Sequence, residues 1–310
     1  MLISAISHPA GAVEPSFAVQ YDYDLRYSSQ SQGKLHLRRE HSLHDLAANY
    51  ISILWDEGSH KTNVRSFLGE MGEILIGRRF SNFTQEMLDH VVGTLRERGN
   101  SNATINRKMA ALSKLLRKAQ KMGDIDGLPE FQRQKERQGR IRFLEQDEEL
   151  ALFEAIRSRC EDSYRLAIFL VDTGCRLGEA IGLSWNDLQQ ARATFWLTKS
   201  GRSRTVPLTL RARQSTEIPH GRLKGPYAML GQVRFRAIWN EAKQEVGLGA
   251  DDQVVPHILR HTCASRLVRG GIDIRRVQIW LGHQTLSMTM RYAHLATNDL
   301  DACVAVLERA

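Results

Sequence analysis

Six residues in the second half of the chain follow one another in a fixed order, each in a short setting of its own. Arg176 stands in T-G-C-R-L-G-E at 173–179 and Lys199 in T-K-S-G-R at 198–202. His257 and Arg260 share H-I-L-R-H-T at 257–262, His283 closes L-G-H at 281–283, and Tyr292 sits in R-Y-A-H at 291–294. Arginine stays charged and offers a planar fork of donors, which suits the non-bridging oxygens of a phosphate as charge builds there. Lysine and histidine can donate or accept protons, and a tyrosine hydroxyl can attack phosphorus. The set therefore reads as a phosphoryl-transfer site that asks for neither metal nor nucleotide. No G-x-x-x-x-G-K-[ST] loop occurs in the sequence.

A second reading competes at one place. His257 and His261 are four apart, as in the H-E-x-x-H zinc motif. Ile258 stands where that motif needs its glutamate, and no third ligand lies nearby in sequence, so zinc is the weaker reading. The four cysteines, Cys160, Cys175, Cys263 and Cys303, form no C-x-x-C pair and indicate neither a zinc ribbon nor a disulfide framework. A reducing cytoplasm is the expected compartment. No apolar run approaches a membrane span, and the N-terminal residues lack the basic-then-apolar order of a signal peptide, so neither membrane nor secretion is expected.

The elements that must position these groups can be read in outline. A length of 310 residues is comfortable for two folded units, and a formal net charge of +8 suits an acidic partner such as a phosphate backbone. Residues 1–40, with His8-Pro9, Gly11, Pro15 and the polar run 28–33, read as an extension whose one strand-like stretch is 17–21. From Ser42, a helix N-cap with Asp45 three residues on, apolar residues recur at helical spacing. Helices are expected from there, at about 62–76, 84–98 and 102–121. The last carries Ile105, Met109, Leu112, Leu116 and Ala119 on one stripe, with Arg107, Lys108, Lys114, Arg117 and Lys118 off it.

Residues 123–142 hold Arg133, Lys135, Arg137, Arg140 and Arg142 without a hydrophobic period and read as a linker. Its charges fit contact with a phosphate backbone and ordinary solubility equally well. Beyond it, acidic residues at 145–149 favour a helix start, and an apolar helix at 166–171 ends at Thr173-Gly174. Strands at 194–198 and 205–208 flank Lys199-Ser200-Gly201-Arg202 as a hairpin, with Ser200, Arg202 and Arg204 expected beside it on a surface that would face a phosphate backbone. Helices follow at about 231–246, 257–269, 273–281, 287–294 and 299–308. Glu179, one helical turn after Arg176, is placed to orient it.

The order of these motifs, with nine residues from His283 to Tyr292, resembles the tyrosine recombinase or phage integrase family. The resemblance is strongest over 143–294, weaker over 42–122 and absent over 1–40. It implies a mainly α fold of two domains: a helical SAM-like core-binding domain at 41–122, then, after the 123–142 linker, a catalytic domain at 143–310 that is mostly α with a small antiparallel sheet.

It also implies a site-specific DNA recombinase in which Tyr292 attacks a phosphodiester, forms a 3′-phosphotyrosyl link and releases a 5′-hydroxyl. In that scheme Arg176 and Arg260 bind the phosphate and Lys199 protonates the leaving oxygen. His257 takes or shares the tyrosine proton, and His283 hydrogen-bonds a phosphate oxygen. His294 and Thr262 give local support. Double-stranded DNA carrying a recombination site is the implied partner, with a homotetramer coupled by C-terminal helix exchange and accessory DNA-bending or directionality proteins. The apolar stripe Leu300, Val304 and Leu307 permits that exchange, and packing on its own domain would give the same stripe. A type IB topoisomerase is the nearest enzyme alternative, and a DNA-binding regulator that keeps the fold is the alternative from another class.

Overall fold

The computed structural model describes residues 40–136, 141–197, 202–217 and 224–296, together with 304, 307 and 308. Two compact units divide the chain between residues 137 and 138. Lys199, the strand-like stretch 17–21, and all but three positions of the expected helix 299–308 lie outside the described residues.

The first unit is helical. Helix α1 (Leu43–Leu54) begins with a reciprocal capping box, in which the Ser42 hydroxyl accepts from the Asp45 amide and the Asp45 carboxylate accepts from the Ser42 amide. Helices α2 (Ser59–Ile74), α3 (Gln85–Glu97) and α4 (Asn102–Met122) follow. Their apolar stripes meet in one core that includes Leu46, Leu68, Met71, Val91, Leu95, Ile105, Leu112 and Leu116. Each such side chain withdrawn from water contributes on the order of 1.5–3 kcal/mol before the entropy cost of ordering.

Two features of this unit differ from expectation. Lys108 is buried and donates to Glu70 and Asn100, while Lys114 caps the Leu54 carbonyl and lies 4.6 Å over the Trp55 ring. Arg107 and Arg117, like Lys114, are exposed on α4's middle turns. The segment after α4 is also less free than a linker: Ile125 is buried in the core, and Leu128 and Phe131 pack against it. Further on, Asn106 exchanges hydrogen bonds with the Gln134 backbone in both directions, and Asn102 donates to the Lys135 carbonyl. The segment's run of charges hides this docking, in which apolar side chains and asparagine contacts to backbone both take part.

The second unit opens with α5 (Gln146–Arg159) and the apolar α6 (Glu161–Thr173), followed by the short α7 (Leu177–Ile181) and a 3-10 turn at Trp185–Asp187. Strands β1 (Leu188–Gln189), β2 (Arg192–Leu197) and β3 (Arg202–Pro207) form an antiparallel sheet in that order. Helices α8 (Leu210–Ser215), α9 (Gln232–Glu245), α10 (Ile258–Arg269), α11 (Ile274–Leu281) and α12 (Ser287–Met290) complete it. A mainly helical chain with one small antiparallel sheet is the result.

The core of this unit gathers Phe169, Leu170, Phe195, Val206, Tyr227, Phe235, Trp239 and Leu259. A smaller cluster of Ile141, Ala264, Val268, Val277 and Leu281 surrounds Tyr292. The helix expected at 287–294 is shorter: α12 stops at Met290, Tyr292 follows, and Ala293–Leu295 is a 3-10 turn. Alternation along β3 buries Arg204 and Val206 and exposes Ser203 and Thr205. Arg204, expected among the DNA-facing groups, therefore points into the protein. Among the described residues, no helix is long and apolar enough to cross a membrane.

Candidate active site

Arg260 organises the site. It lies on the first turn of α10, 2% exposed, and donates to the carbonyls of Gly174 and Leu281, each at 2.7 Å. Those carbonyls belong to the C-terminal ends of α6 and α11, where unpaired C=O groups and the helix dipoles favour a cation. Both ends close with a left-handed glycine, Gly174 at φ 62° and Gly282 at φ 67°. A Cβ on Gly174 would stand 2.7 Å from Leu281 Cδ2, and one on Gly282 would stand 2.7 Å from Arg204 Cδ. Two glycines thus let two helix ends close on one guanidinium. A guanidinium has five N–H donors, so the two carbonyls leave it with capacity for an anion.

Arg176 is the N-cap of α7. Its backbone N–H donates to Glu179 Oε2 and its Nη1 to Glu179 Oε1, both at 2.8 Å. Arg204 reaches the same carboxylate with Nη2 at 2.6 Å and Nη1 at 3.2 Å, donates through Nε to the Trp280 carbonyl, and stacks 4.7 Å over Phe195. Burial pushes the Glu179 carboxyl up, but hydrogen bonding and charge from Arg204, and then bonds from Arg176, hold it down at about 2. One carboxylate thus orients two guanidinium groups beside a third. Arg260 is pushed down to about 10, first by burial and then by the charges of Arg176 and Arg204. It stays charged at neutral pH, and the cluster as a whole would be relieved by an anion.

The histidines enclose the same cluster. His257 is the N-cap of α10, and burial and the charges of Arg260, Arg176 and Arg291 hold it below the usual histidine range. His283 follows Gly282, the C-cap of α11, and meets the buried Thr289 hydroxyl through Nδ1 at 2.8 Å. Burial first, then Arg260 and Arg176, push His283 down to about 4.

Tyr292 is 1% exposed, and its hydroxyl lies 2.6 Å from His261 Nδ1. Burial raises its pKa, while the charges of Arg291 and Arg260 pull it down. Arg176, His257, Arg260, His283 and Tyr292 therefore converge on one place, and Lys199 lies outside the described residues. Thr262 supports α10 from within: its hydroxyl donates to the Ile258 carbonyl and accepts from the Leu144 amide. Among the described residues, no group of three or more histidine, cysteine, aspartate or glutamate side chains stands together as a metal ion would need.

Sequence reasoning underrated two residues here. Arg204 shares strand parity with Val206, a signal that faces it inward, and His261 follows Arg260 directly, so one helix face carries both with His257.

The model of the phage integrase family matches residues 142–299. The integrase of Haemophilus phage HP1 is 30% identical over 297 residues, covering 93% of this chain and 79% of that protein. The tyrosine recombinase XerC of Mycobacterium leprae is 29% identical over 265 residues, covering 76% of this chain and 89% of its own. Among solved structures, a lambda integrase dimer bound to a COC′ core site shares the fold, with a TM-score of 0.70 and 19% identity over 83% of this chain and 78% of that one.

A helical fold carrying a cluster of arginines and histidines beside a tyrosine fits the class, and the chain belongs to the phage integrase family. Its activity is that of a site-specific tyrosine recombinase, which cleaves and rejoins DNA.

Proposed function

We propose that Tyr292 is the nucleophile, that Arg176, Arg260 and His283 hold the scissile phosphate, and that His257 shares in handling the tyrosine proton. The observation that carries this reading is the single cluster of Arg176, Arg204 and Arg260 around one carboxylate, next to the Tyr292 hydroxyl. Attack of Oη on phosphorus forms a 3′-phosphotyrosyl bond and expels the 5′-oxygen, and Lys199 is the acid for that oxygen. Arg176 and Arg260 stabilise the charge gathering on the non-bridging oxygens, and His283 Nε2 adds a donor. The new bond keeps the energy of the old one, so a 5′-hydroxyl from another strand reseals the DNA without ATP.

The helical unit, residues 41–122 with the segment docked on it, is the core-binding domain, and residues 143–310 are the catalytic domain. The partner is double-stranded DNA with a specific site. Two duplexes exchanging both strands require four cuts and hence four tyrosines, which supports a homotetramer on DNA. Val304 and Leu307 are 51% and 76% exposed, a fit for a C-terminal segment that covers a neighbouring copy. Accessory DNA-bending or directionality proteins would act on this assembly. Free Cys160, Cys175 and Cys263 agree with work in the cytoplasm.

The test uses a pool of randomised nicked duplexes whose cleavage releases a short strand and traps the adduct. Wild-type protein forms a denaturation-resistant protein–DNA link, and Tyr292→Phe forms none while binding the same duplexes. An undiminished link in Tyr292→Phe refutes the assignment.

A further inference from the structure

Resting on Tyr292 as the nucleophile, we infer that His261 is the catalytic residue that accepts its proton. The Tyr292 hydroxyl has one hydrogen-bond partner among the described residues, His261 Nδ1 at 2.6 Å, and the two rings lie 5.9 Å apart between centroids. Direction follows from burial. If Nδ1 carried the hydrogen, the phenol proton would be enclosed without an acceptor, an arrangement that costs about 1–3 kcal/mol. The phenol therefore donates, and His261 is the neutral tautomer with its hydrogen on Nε2.

The surroundings keep His261 in that form. His257 and Arg260 face it from its own helix, His283 from the end of α11, and Arg291 and Tyr292 from the segment after α12. Burial first, then His257, Arg291, Arg260 and His283, push His261 down to about 3, so it is unprotonated and ready to accept at neutral pH. A phosphodiester entering among these cations brings the negative charge that lets the ring take a proton. His257 meets the phenol only through His261, their rings 4.9 Å apart and at right angles.

The step balances. As the Oη–P bond forms, the O–H bond breaks and its proton passes to His261 Nδ1, giving an imidazolium; the P–O5′ bond breaks, and the 5′-oxygen takes a proton from the acid on its own side. Rejoining runs in reverse, with His261 returning the proton to the phenolate.

Single-turnover adduct formation tests this on a nicked duplex recovered from the randomised pool, with wild type, Tyr292→Phe, His261→Asn and His261→Ala. Asparagine keeps an acceptor near the Nδ1 position but takes up no proton, so His261→Asn should bind the duplex like wild type and cleave it about 100-fold or more slowly. Added imidazole should restore His261→Ala at least ~10-fold, with a rate that follows the free base.

Cleavage within about 3-fold of wild type in both variants, or slow cleavage that imidazole leaves unchanged, overturns the inference, because a structural role predicts no such rescue. An active Tyr292→Phe instead sinks the nucleophile assignment beneath it. If the variants fold poorly, long-range proton–nitrogen spectra of the wild-type chain decide the matter. The inference requires the Nε2–H tautomer of His261 and an Nδ1 signal that moves in Tyr292→Phe, whereas an Nδ1–H tautomer refutes it.

Discussion

Arg204 Nη2 lies 2.6 Å from Glu179 Oε2, and neither side chain is more than 13% exposed. Because the same carboxylate also holds Arg176, a residue of the sheet helps aim a group at the start of α7. Removing one partner of such a buried pair leaves the other charge uncompensated, at a cost of about 3–5 kcal/mol. Arg204→Ala should lower the thermal midpoint accordingly and also slow cleavage. Arg204→Lys should restore part of the stability, since an ammonium keeps the charge and loses the two-pronged contact. Thermal melts and single-turnover cleavage of the three proteins check this.

Gly174 offers a second test. Alanine there would have to adopt φ 62° and place its Cβ 2.7 Å from Leu281 Cδ2 and 3.0 Å from Cys263 Sγ. The left-handed conformation alone costs roughly 1 kcal/mol, and the contact adds to it. Because the Gly174 carbonyl is one of the two that grip Arg260, Gly174→Ala should weaken both stability and cleavage. Gly247→Ala supplies the control: its φ is also positive but its Cβ would meet nothing, so it should cost stability and leave cleavage intact.

Acid should destabilise the chain in a defined window. In the unfolded state histidines titrate near about 6.5 and glutamate near about 4.3. In the folded state His283 is pushed down to about 4, His261 to about 3, His257 below its usual range, and Glu179 to about 2. Between the unfolded and folded values the unfolded chain binds more protons, so stability rises with pH there. It should be full above about pH 6.5 and fall continuously below it, histidines first and Glu179 from about 4.3 downward. Urea unfolding across this range checks the trend, and His283→Asn should flatten its upper part.

The α4 cations divide into two kinds. Arg107 and Arg117 are exposed, whereas Lys108 is 4% exposed and paired with Glu70. If the exposed pair contacts phosphates, Arg107→Ala and Arg117→Ala should each reduce the salt dependence of DNA affinity by about one unit of slope and leave the melting point unchanged. Lys108→Ala should do the opposite, lowering stability with no change in slope. Binding isotherms at several salt concentrations separate the two outcomes.

Much of this was legible in sequence because local signals and tertiary demands coincide. The Ser42–Asp45 capping box, the α4 stripe and the apolar α6 ending at Gly174 all appear as read. What escaped lacks a local signal. The turn from β1 into β2 uses Gln190 and Ala191 at positive φ in place of the glycine or asparagine that marks such turns, so β1 went unread. Arg204 looked like a surface charge because its partners, Glu179 and the Trp280 carbonyl, are distant in sequence. The docking of 125–136 rests on Ile125, Leu128 and Phe131 together with asparagine contacts to backbone, which the segment's run of charges obscures. Of the site itself, order and spacing marked Arg176, His257, Arg260, His283 and Tyr292, but the family resemblance set His257 to take the phenol's proton, whereas the side chain hydrogen-bonded to the phenol is His261.

The central claim is that Tyr292 becomes joined to DNA, and peptide mapping of the trapped adduct tests it most directly. After nuclease and protease digestion, the peptide containing Tyr292 should carry the mass of the residual 3′-linked nucleotide, and fragmentation should assign that mass to the tyrosine. A nucleotide found on any other residue, or cleaved DNA with no covalently modified peptide, would contradict the account.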